Sequence, residues 1–462
     1  MPTYSPAQTL PWHIIEDIIQ FVPFEHQKDI GPNGIPKIPH LKKAYLPYMS
    51  VCRSWRYAAG SIFYQSAMVR TSCLEPYGHS QEGILYLKDA IDFGVQHFIR
   101  DLYIDINIAT LKQSWGSDED DVFGVLMERC GELHRASSLK LSMTYYDRTT
   151  YKLPEEGEDE MNVALKNVES FIEKIKQNIP NICKVDIFKD PQYYFQSKDD
   201  TVSDFILDKL SMLANPNVCH ISLIRIKVTK PILGCILANS LRSISLGYNK
   251  GNQKHIEIVR QNANTLESLS VDHLSTSSVL KLTVGQKGGY HTLVYPRLKY
   301  LKISGCIGLR NRRHQQPQVD PFPQLETLIC RGRLPFTSPI VLVGGQSHIR
   351  HLDIDLDNIN GSEVLMPKVE TIADYQERYK SFSTNAWALG ISNALFANCR
   401  RAGEFLLLIT SILSNIQRVS ISINSSRSAY KILNGISYAK NRKIYKKHPV
   451  IDRVEFLASD FW

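Results

Sequence analysis

Eleven times between residue 99 and the end of the chain, an apolar residue is followed by a second three positions later and a third two positions after that. The triplets are Ile99/Leu102/Ile104, Ala136/Leu139/Leu141, Ile182/Val185/Ile187, Val218/Ile221/Leu223, Leu241/Ile244/Leu246, Leu266/Leu269/Val271, Leu298/Leu301/Ile303, Leu325/Leu328/Cys330, Ile349/Leu352/Ile354, Ile416/Val419/Ile421 and Ile451/Val454/Phe456. Side chains alternate between the two faces of a β-strand, so the last two members of each triplet point one way and the residue between them the other. Each triplet therefore predicts a short strand, apolar on one face. Between triplets lie stretches with helical spacing: 163–179, with Val163, Leu165, Val168, Phe171, Ile172 and Ile175, and 202–213, with Phe205, Ile206, Leu210 and Leu213. The wide gap after Ile354 includes 387–412, rich in Leu and Ala and interrupted by Asn393 and Asn398, which reads as two helices. Strands alternating with helices predict parallel pairing through crossovers, an α/β chain.

The triplet resembles the leucine-rich repeat, in which an Asn or Cys stands eight residues after the first apolar position. Asn107, Asn249, Cys306 and Asn424 occupy that place, and the other seven units lack it. The units start about 23 to 46 residues apart, with one gap of about 67, so the array is irregular. The resemblance implies a solenoid, a curved parallel sheet with outer helices, whose inner face binds partners. Alternation places on that face Asp101, Tyr103, Lys140, Lys184, Asp186, His220, Ser222, Ser243, Ser245, Ser268, Ser270, Tyr300, Lys302, His351, Asp353, Arg418, Arg453 and Glu455. From these, Tyr103, Lys140, His220, Tyr300, Lys302, His351 and Arg418 are the candidates for contact with a target protein. The set is polar and mixed in sign, as any solvated sheet face is.

The first tenth of the chain follows a different period. Apolar side chains at 14/15, 18/19 and 22 recur at helical spacing, with Glu16, Asp17 and Gln20 on the other face and Pro11 suited to the first helical position. After a loop comes Val51-Cys52-Arg53-Ser54-Trp55-Arg56, in which Cys52, Trp55, Ala59 and Ile62/Phe63 form a second stripe. Two such helices expose apolar surface that about fifty residues cannot bury alone. Leu10-Pro11 with Ile14 and Ile18, followed by Val-Cys-Arg-x-Trp-Arg, resembles an F-box, the helical module that docks on the Skp-type adaptor of a cullin-RING ubiquitin ligase. The resemblance covers roughly residues 9 to 68. The loop between Val22 and Leu46, with Pro23, Gly31, Pro32, Gly34, Pro36 and Pro39, is longer than the family usually has.

These readings divide the chain into an F-box-like helical module (1–68), a connector (69–95) and an irregular repeat array (96–462). The family resemblance implies a non-catalytic substrate receptor, present in cytoplasm or nucleus, with a Skp-type adaptor, a cullin complex and an unknown protein target as partners. It places the adaptor contact or its immediate support at Leu10, Pro11, Ile14, Ile15 and Ile18, with Val51, Cys52 and Trp55 holding the helices together. A protein-binding scaffold whose helices merely cap the first repeat is the alternative.

The remaining signals exclude more than they add. Net charge is +8 over 462 residues, with basic and acidic residues interspersed, and the dense basic segments at 310–314 and 440–447 read as solvated, so no nucleic-acid partner is expected. The acidic runs at 118–121 and 155–160 read as solvated loops between units. Nine scattered cysteines have no two-residue spacing, which suggests neither a zinc ribbon nor a disulfide framework and fits a reducing compartment. No run of 18 apolar residues occurs, so no membrane partner is expected. Gly285-Gln286-Lys287-Gly288-Gly289 lacks the ending of a phosphate loop, and no G-x-S-x-G elbow is present. The expectation is no enzyme, no cofactor and no metal.

Overall fold

The computed structural model describes residues 10–21, 47–70, 85–107, 128–129, 133–144, 166, 169–170, 172–189, 218–225, 240–247, 253–272, 293–304, 320–331, 349–355, 388–392, 418–423, 434 and 454–458. The chain divides into two compact units, Met1–Ile236 and Leu237–Trp462, with a boundary unlike the three segments expected from sequence.

The first unit opens with helices α1 (Trp12–Phe21) and α2 (Arg53–Phe63), followed by strands β1 (Ser66–Arg70) and β2 (Leu85–Tyr86). Helix α3 (Leu87–Asp92), a 3-10 turn (Gln96–Phe98) and strands β3 (Asp101–Asn107), β4 (Ser138–Thr144), β5 (Lys184–Lys189) and β6 (His220–Ile224) complete it. All pairs are parallel, in the order β6-β5-β4-β3-β1-β2. The second unit holds β7 (Ser243–Gly247), α4 (Gln253–Gln261), β8 (Ser268–Val271), β9 (Tyr300–Ser304), β10 (Thr327–Arg331), β11 (His351–Asp355), β12 (Ala388–Ser392), β13 (Arg418–Ile423) and β14 (Val454–Ala458). Its strands lie side by side in chain order, and every neighbouring pair is parallel. Within each unit the run of strands is open among the described residues, and the class is α/β.

Register explains why every triplet became a strand. In the first unit Ala67, Leu102, Leu139, Val185 and Ile221 face one another in succession, and so do Val69, Ile104, Leu141, Ile187 and Leu223. In the second, Leu269, Leu301, Leu328, Leu352, Leu389, Val419 and Val454 form one such row, and Val271, Ile303, Cys330, Ile354, Ile391, Ile421 and Phe456 the next. A slip of one residue would turn both rows of a strand into water. Leu102, Leu139, Leu269, Leu301 and Leu328 are fully buried, each worth about 1.5–3 kcal/mol relative to exposure. The residue just before each strand also has a fixed task. The carbonyl of Gln65 accepts both Arg100 N–H and Asp101 N–H, that of Arg100 accepts Ser137 and Ser138, and Ser137, Cys183, Arg242, Glu267, Lys299 and Glu326 repeat the arrangement. Each unit is thereby clamped to the next before the ladder begins.

A fourth apolar position precedes several triplets. Leu133, Ile179, Tyr295 and Phe322 stand three residues ahead of Ala136, Ile182, Leu298 and Leu325, and all four are buried. Leu298 N–H donates to Tyr295 O (3.3 Å) and Leu325 N–H to Phe322 O (3.1 Å), closing turns with Pro296 and Pro323 at the second position, where a fixed φ is favourable. Elsewhere an asparagine takes over. Buried Asn262, just past α4, accepts from Leu241 N–H (3.1 Å) and donates to Ile258 O (2.9 Å), tying the helix end to the start of the β7 unit.

Several expectations are corrected. Residues 388–392, read as helix, form β12, because Leu389 and Ile391 complete the same apolar rows as their neighbours. Strands β1 and β2 fall in or beside the expected connector, so the sheet starts well before residue 96. Of 163–179, residues 172–178 are helical, and Ile172, Ile175 and Ile179 are buried. The stretches 202–213 and 393–412, the acidic and basic runs, the 285–289 turn, and Asn249, Cys306 and Asn424 lie outside the described residues. Asn107 ends β3.

Candidate functional site

Helix α1 divides its apolar residues between two faces. Ile15 and Ile19 are fully buried against Ala58, Ala59 and Ile62 of α2, with Leu10, Tyr48, Met49, Trp55 and Phe63 packed around them. Tyr48 stacks on Trp55 with ring centroids 5.9 Å apart, and Arg56 Nε donates to Met49 O (3.1 Å). This small core uses up one side of the helix. Ile14 and Ile18, one turn apart, point away from it and are 39% and 42% exposed. Pro11 is exposed, and Val51, ahead of α2, is 46% exposed instead of lying between the helices. Cys52 is half-buried at the N-cap of α2, where its carbonyl accepts Arg56 N–H (2.9 Å). Leu10 and Trp55 are half-buried as well. The sequence-predicted adaptor residues thus separate into an outward set (Pro11, Ile14, Ile18, Val51) and a supporting set (Leu10, Ile15, Cys52, Trp55).

A third side of α1 is spent on the sheet. Glu16, expected on the polar face, is buried and ion-paired with Arg100 at the entry to β3. Trp12 makes an edge contact with Tyr57 (5.3 Å), and Arg135, ahead of β4, lies 5.9 Å over the Trp12 ring and donates to Tyr57 Oη (3.3 Å). Tyr57 and Tyr64 both touch Phe98. The helical module is therefore fixed to the first strands.

The polar face of the first unit holds the second cluster. Tyr103 on β3, Lys140 on β4 and Asp186 on β5 occupy one register row, with Lys184 and His220 in the row before it. Lys140 Nζ donates to Tyr103 Oη (2.6 Å) while lying 4.5 Å from its ring centroid. Asp186 is held on both oxygens: His220 Nε2 donates to Oδ1 (3.2 Å), and Lys184 Nζ approaches Oδ2 (3.3 Å). Burial would raise the Asp186 carboxyl, but the His220 hydrogen bond and the charges of Lys184 and Lys140 outweigh it and hold the group below its ordinary value. Burial pushes the Tyr103 phenol up, with Lys140 opposing in part. Tyr103, expected on a solvated face, is nearly buried, packed with Met68 of β1. Asp186 thus acts as the tie, and Lys140, Lys184 and His220 are the donors displayed around it.

In the second unit Tyr300, His351 and Arg418 share one row, with Thr327 and Ala388 between them. His351 is exposed. Lys302, two residues after Tyr300, lies 4.0 Å from Asp272. Sequence alternation found the row and Asp186 but neither Asp272 nor the pairing of Asp186 with His220, which depends on the neighbouring strand. Among the described residues no helix is long and apolar enough to cross a membrane, and no group of three or more metal-ligating side chains occurs. No family model matches the sequence, and no curated protein matches it either.

Proposed function

We propose that this chain is a non-catalytic substrate receptor of a cullin-RING ubiquitin ligase. Its α1–α2 module, an F-box by resemblance, would dock on a Skp-type adaptor, and its sheets, read as an irregular leucine-rich-repeat solenoid, would hold a target protein. The observation that carries this reading is the outward pair Ile14 and Ile18, left exposed by a helix whose Ile15, Ile19 and Glu16 are already engaged. Aliphatic residues one turn apart suit a groove between partner helices. The polar rows through Tyr103, Lys140 and His220 and through Tyr300, Lys302, His351 and Arg418 are the proposed target surface. Holding a target near ubiquitin-transfer machinery raises its effective concentration, which requires no chemistry from this chain.

Co-purification with a Skp-type adaptor tests the proposal. Deleting residues 1–68 would cut into β1, so the comparison is the full chain against Ile14→Asp/Ile18→Asp. The full chain should retain the adaptor and the folded variant should not; equal retention refutes the docking face, and no retention by either refutes the receptor. The second reading, a scaffold whose helices only cap the sheet, is favoured by the Glu16–Arg100 pair and the Tyr57–Phe98 contact, since a cap needs those inward contacts alone.

A further inference from the structure

Strands β5 and β6 each carry one apolar residue beyond their triplet, and it falls on the polar face. Along β5, Lys184, Asp186 and Phe188 share one side, with Val185 and Ile187 buried on the other; along β6, His220, Ser222 and Ile224 do the same against Ile221 and Leu223. Phe188 stands directly opposite Ile224 in the register, with Ser142 of β4 as its other neighbour. Both are half-buried, so each keeps part of its apolar surface in water. The row before them holds Lys140, Asp186 and Ser222, about 6.6 Å back along the strands. An apolar centre bordered by polar side chains is the make-up of contacts that carry binding energy. The border also has a sign. On this face of β4, β5 and β6 the charged residues are Lys140, Lys184 and Asp186, two lysines against one aspartate, which leaves one positive charge in excess when His220 is neutral. The acids Asp101 and Asp105 stand on β3, two strand spacings, or about 10 Å, from the strand of Phe188.

We propose that Phe188 and Ile224 form the anchor of the target surface and take an apolar side chain from an acidic segment of the target protein, whose carboxylate meets Lys184 and Lys140. The anchor rests on the polar rows being the target surface proposed above, and it specifies what that target presents. In an extended segment the carboxylate lies within about four residues of the apolar side chain, the distance from Phe188 back to Lys184.

The test selects random phage-displayed peptides on the full chain and measures the enriched sequences as synthetic peptides. They should carry an apolar residue with Asp or Glu nearby, and replacing that acid by its amide should weaken binding at low salt more than at high salt. Phe188→Ala/Ile224→Ala should weaken the same peptides by more than about 10-fold, with circular dichroism confirming the fold. Ile224→Thr, which keeps a β-branched strand residue, should weaken them too and serves if the double variant does not fold. No enrichment, enriched peptides without the acidic and apolar pair, or peptides that bind the folded variants as tightly as wild type overturn the anchor and leave Phe188 and Ile224 a cross-strand pair that only stiffens the sheet. Adaptor co-purification on the same chains reads the receptor separately: a chain that selects these peptides but holds no adaptor keeps the anchor and loses the ligase role, and one that holds the adaptor but fails the peptide test loses the anchor alone.

Discussion

The division of α1 into outward and inward isoleucines makes a quantitative prediction. Ile14 and Ile18 are about two-fifths exposed, so a partner that finishes covering them gains about two-fifths of the 1.5–3 kcal/mol for burying an isoleucine, or roughly 0.6–1.2 kcal/mol each. Ile14→Ala/Ile18→Ala should therefore weaken adaptor binding by about 1.2–2.4 kcal/mol, roughly 8- to 60-fold in Kd. In the free chain each truncation should cost only the part already covered, about three-fifths of 1.5–3 kcal/mol or roughly 0.9–1.8 kcal/mol, and should leave no enclosed cavity. Ile15→Ala is the counterpart: Ile15 is fully buried, and its truncation leaves a cavity costing about 2–5 kcal/mol of stability. Isothermal titration with the adaptor and denaturant unfolding of the free chain separate the two effects. An Ile14→Ala/Ile18→Ala chain that binds with wild-type affinity, or an Ile14→Ala or Ile18→Ala single variant that unfolds as early as Ile15→Ala, would refute the assignment of faces.

Asn262→Ala should cost about 1–3 kcal/mol, because it strands the buried Leu241 N–H; denaturant melts will read it, and an unchanged midpoint would remove Asn262 from the joint. Arg100→Gln should destabilise the chain by about 1–3 kcal/mol, at the modest end of losses from ion pairs because Arg100 is partly exposed, and a cycle with Glu16→Gln should recover part of the loss. The Asp186 carboxyl titrates below its ordinary 3.8, so the stability from its ionised form is fully present above about pH 4 and lost as pH falls through the lower folded value; Asp186→Asn should be less stable than wild type at pH 6, and the gap should narrow as pH falls below 3.8. Along the second sheet, Arg242, Glu267, Lys299, Glu326 and Arg350 succeed one another with alternating sign, so Glu326→Lys should cost a few tenths of a kcal/mol at low salt, less at high salt.

Strand existence was legible because each triplet is a local pattern that tertiary pairing reinforces. Of the three strands outside the triplets, β2 is only two residues long, and β1 and β12 carry the same spacing with weaker letters. Tyr64/Ala67/Val69 and Ala386/Leu389/Ile391 use Ala where other units use Leu or Ile, and β12 sits in a Leu- and Ala-rich stretch that also satisfies a helix. Neighbouring rows decided between the two periods, and no window of local sequence contains them. The turns before β9 and β10 carry a local signal, Tyr295-Pro296 and Phe322-Pro323, that the triplet pattern does not use. The ties Glu16–Arg100 and Asp186–His220 were not, since they span 84 and 34 residues and depend on how the chain stacks.

The same long-range ties bear on which role the N-terminal helices play. As a cap, the helices would be held by Tyr57 and Tyr64 against Phe98, with Glu16 anchoring α1 to Arg100. None of it involves Ile14 or Ile18. A helix selected only as a cap would gain solubility from polar residues at those two positions, because exposed aliphatic side chains invite association. Isoleucine at both, one turn apart and outside the small α1–α2 core, is what the proposed adaptor would use. Anchoring also fixes the direction of that face relative to the row holding Tyr103 and Lys140, since Arg100 leads directly into β3. An adaptor seated on α1 would thus be presented at a set angle to anything bound on that row. Loosening the anchor with Arg100→Gln should leave adaptor affinity unchanged while lowering ubiquitin transfer to a bound target.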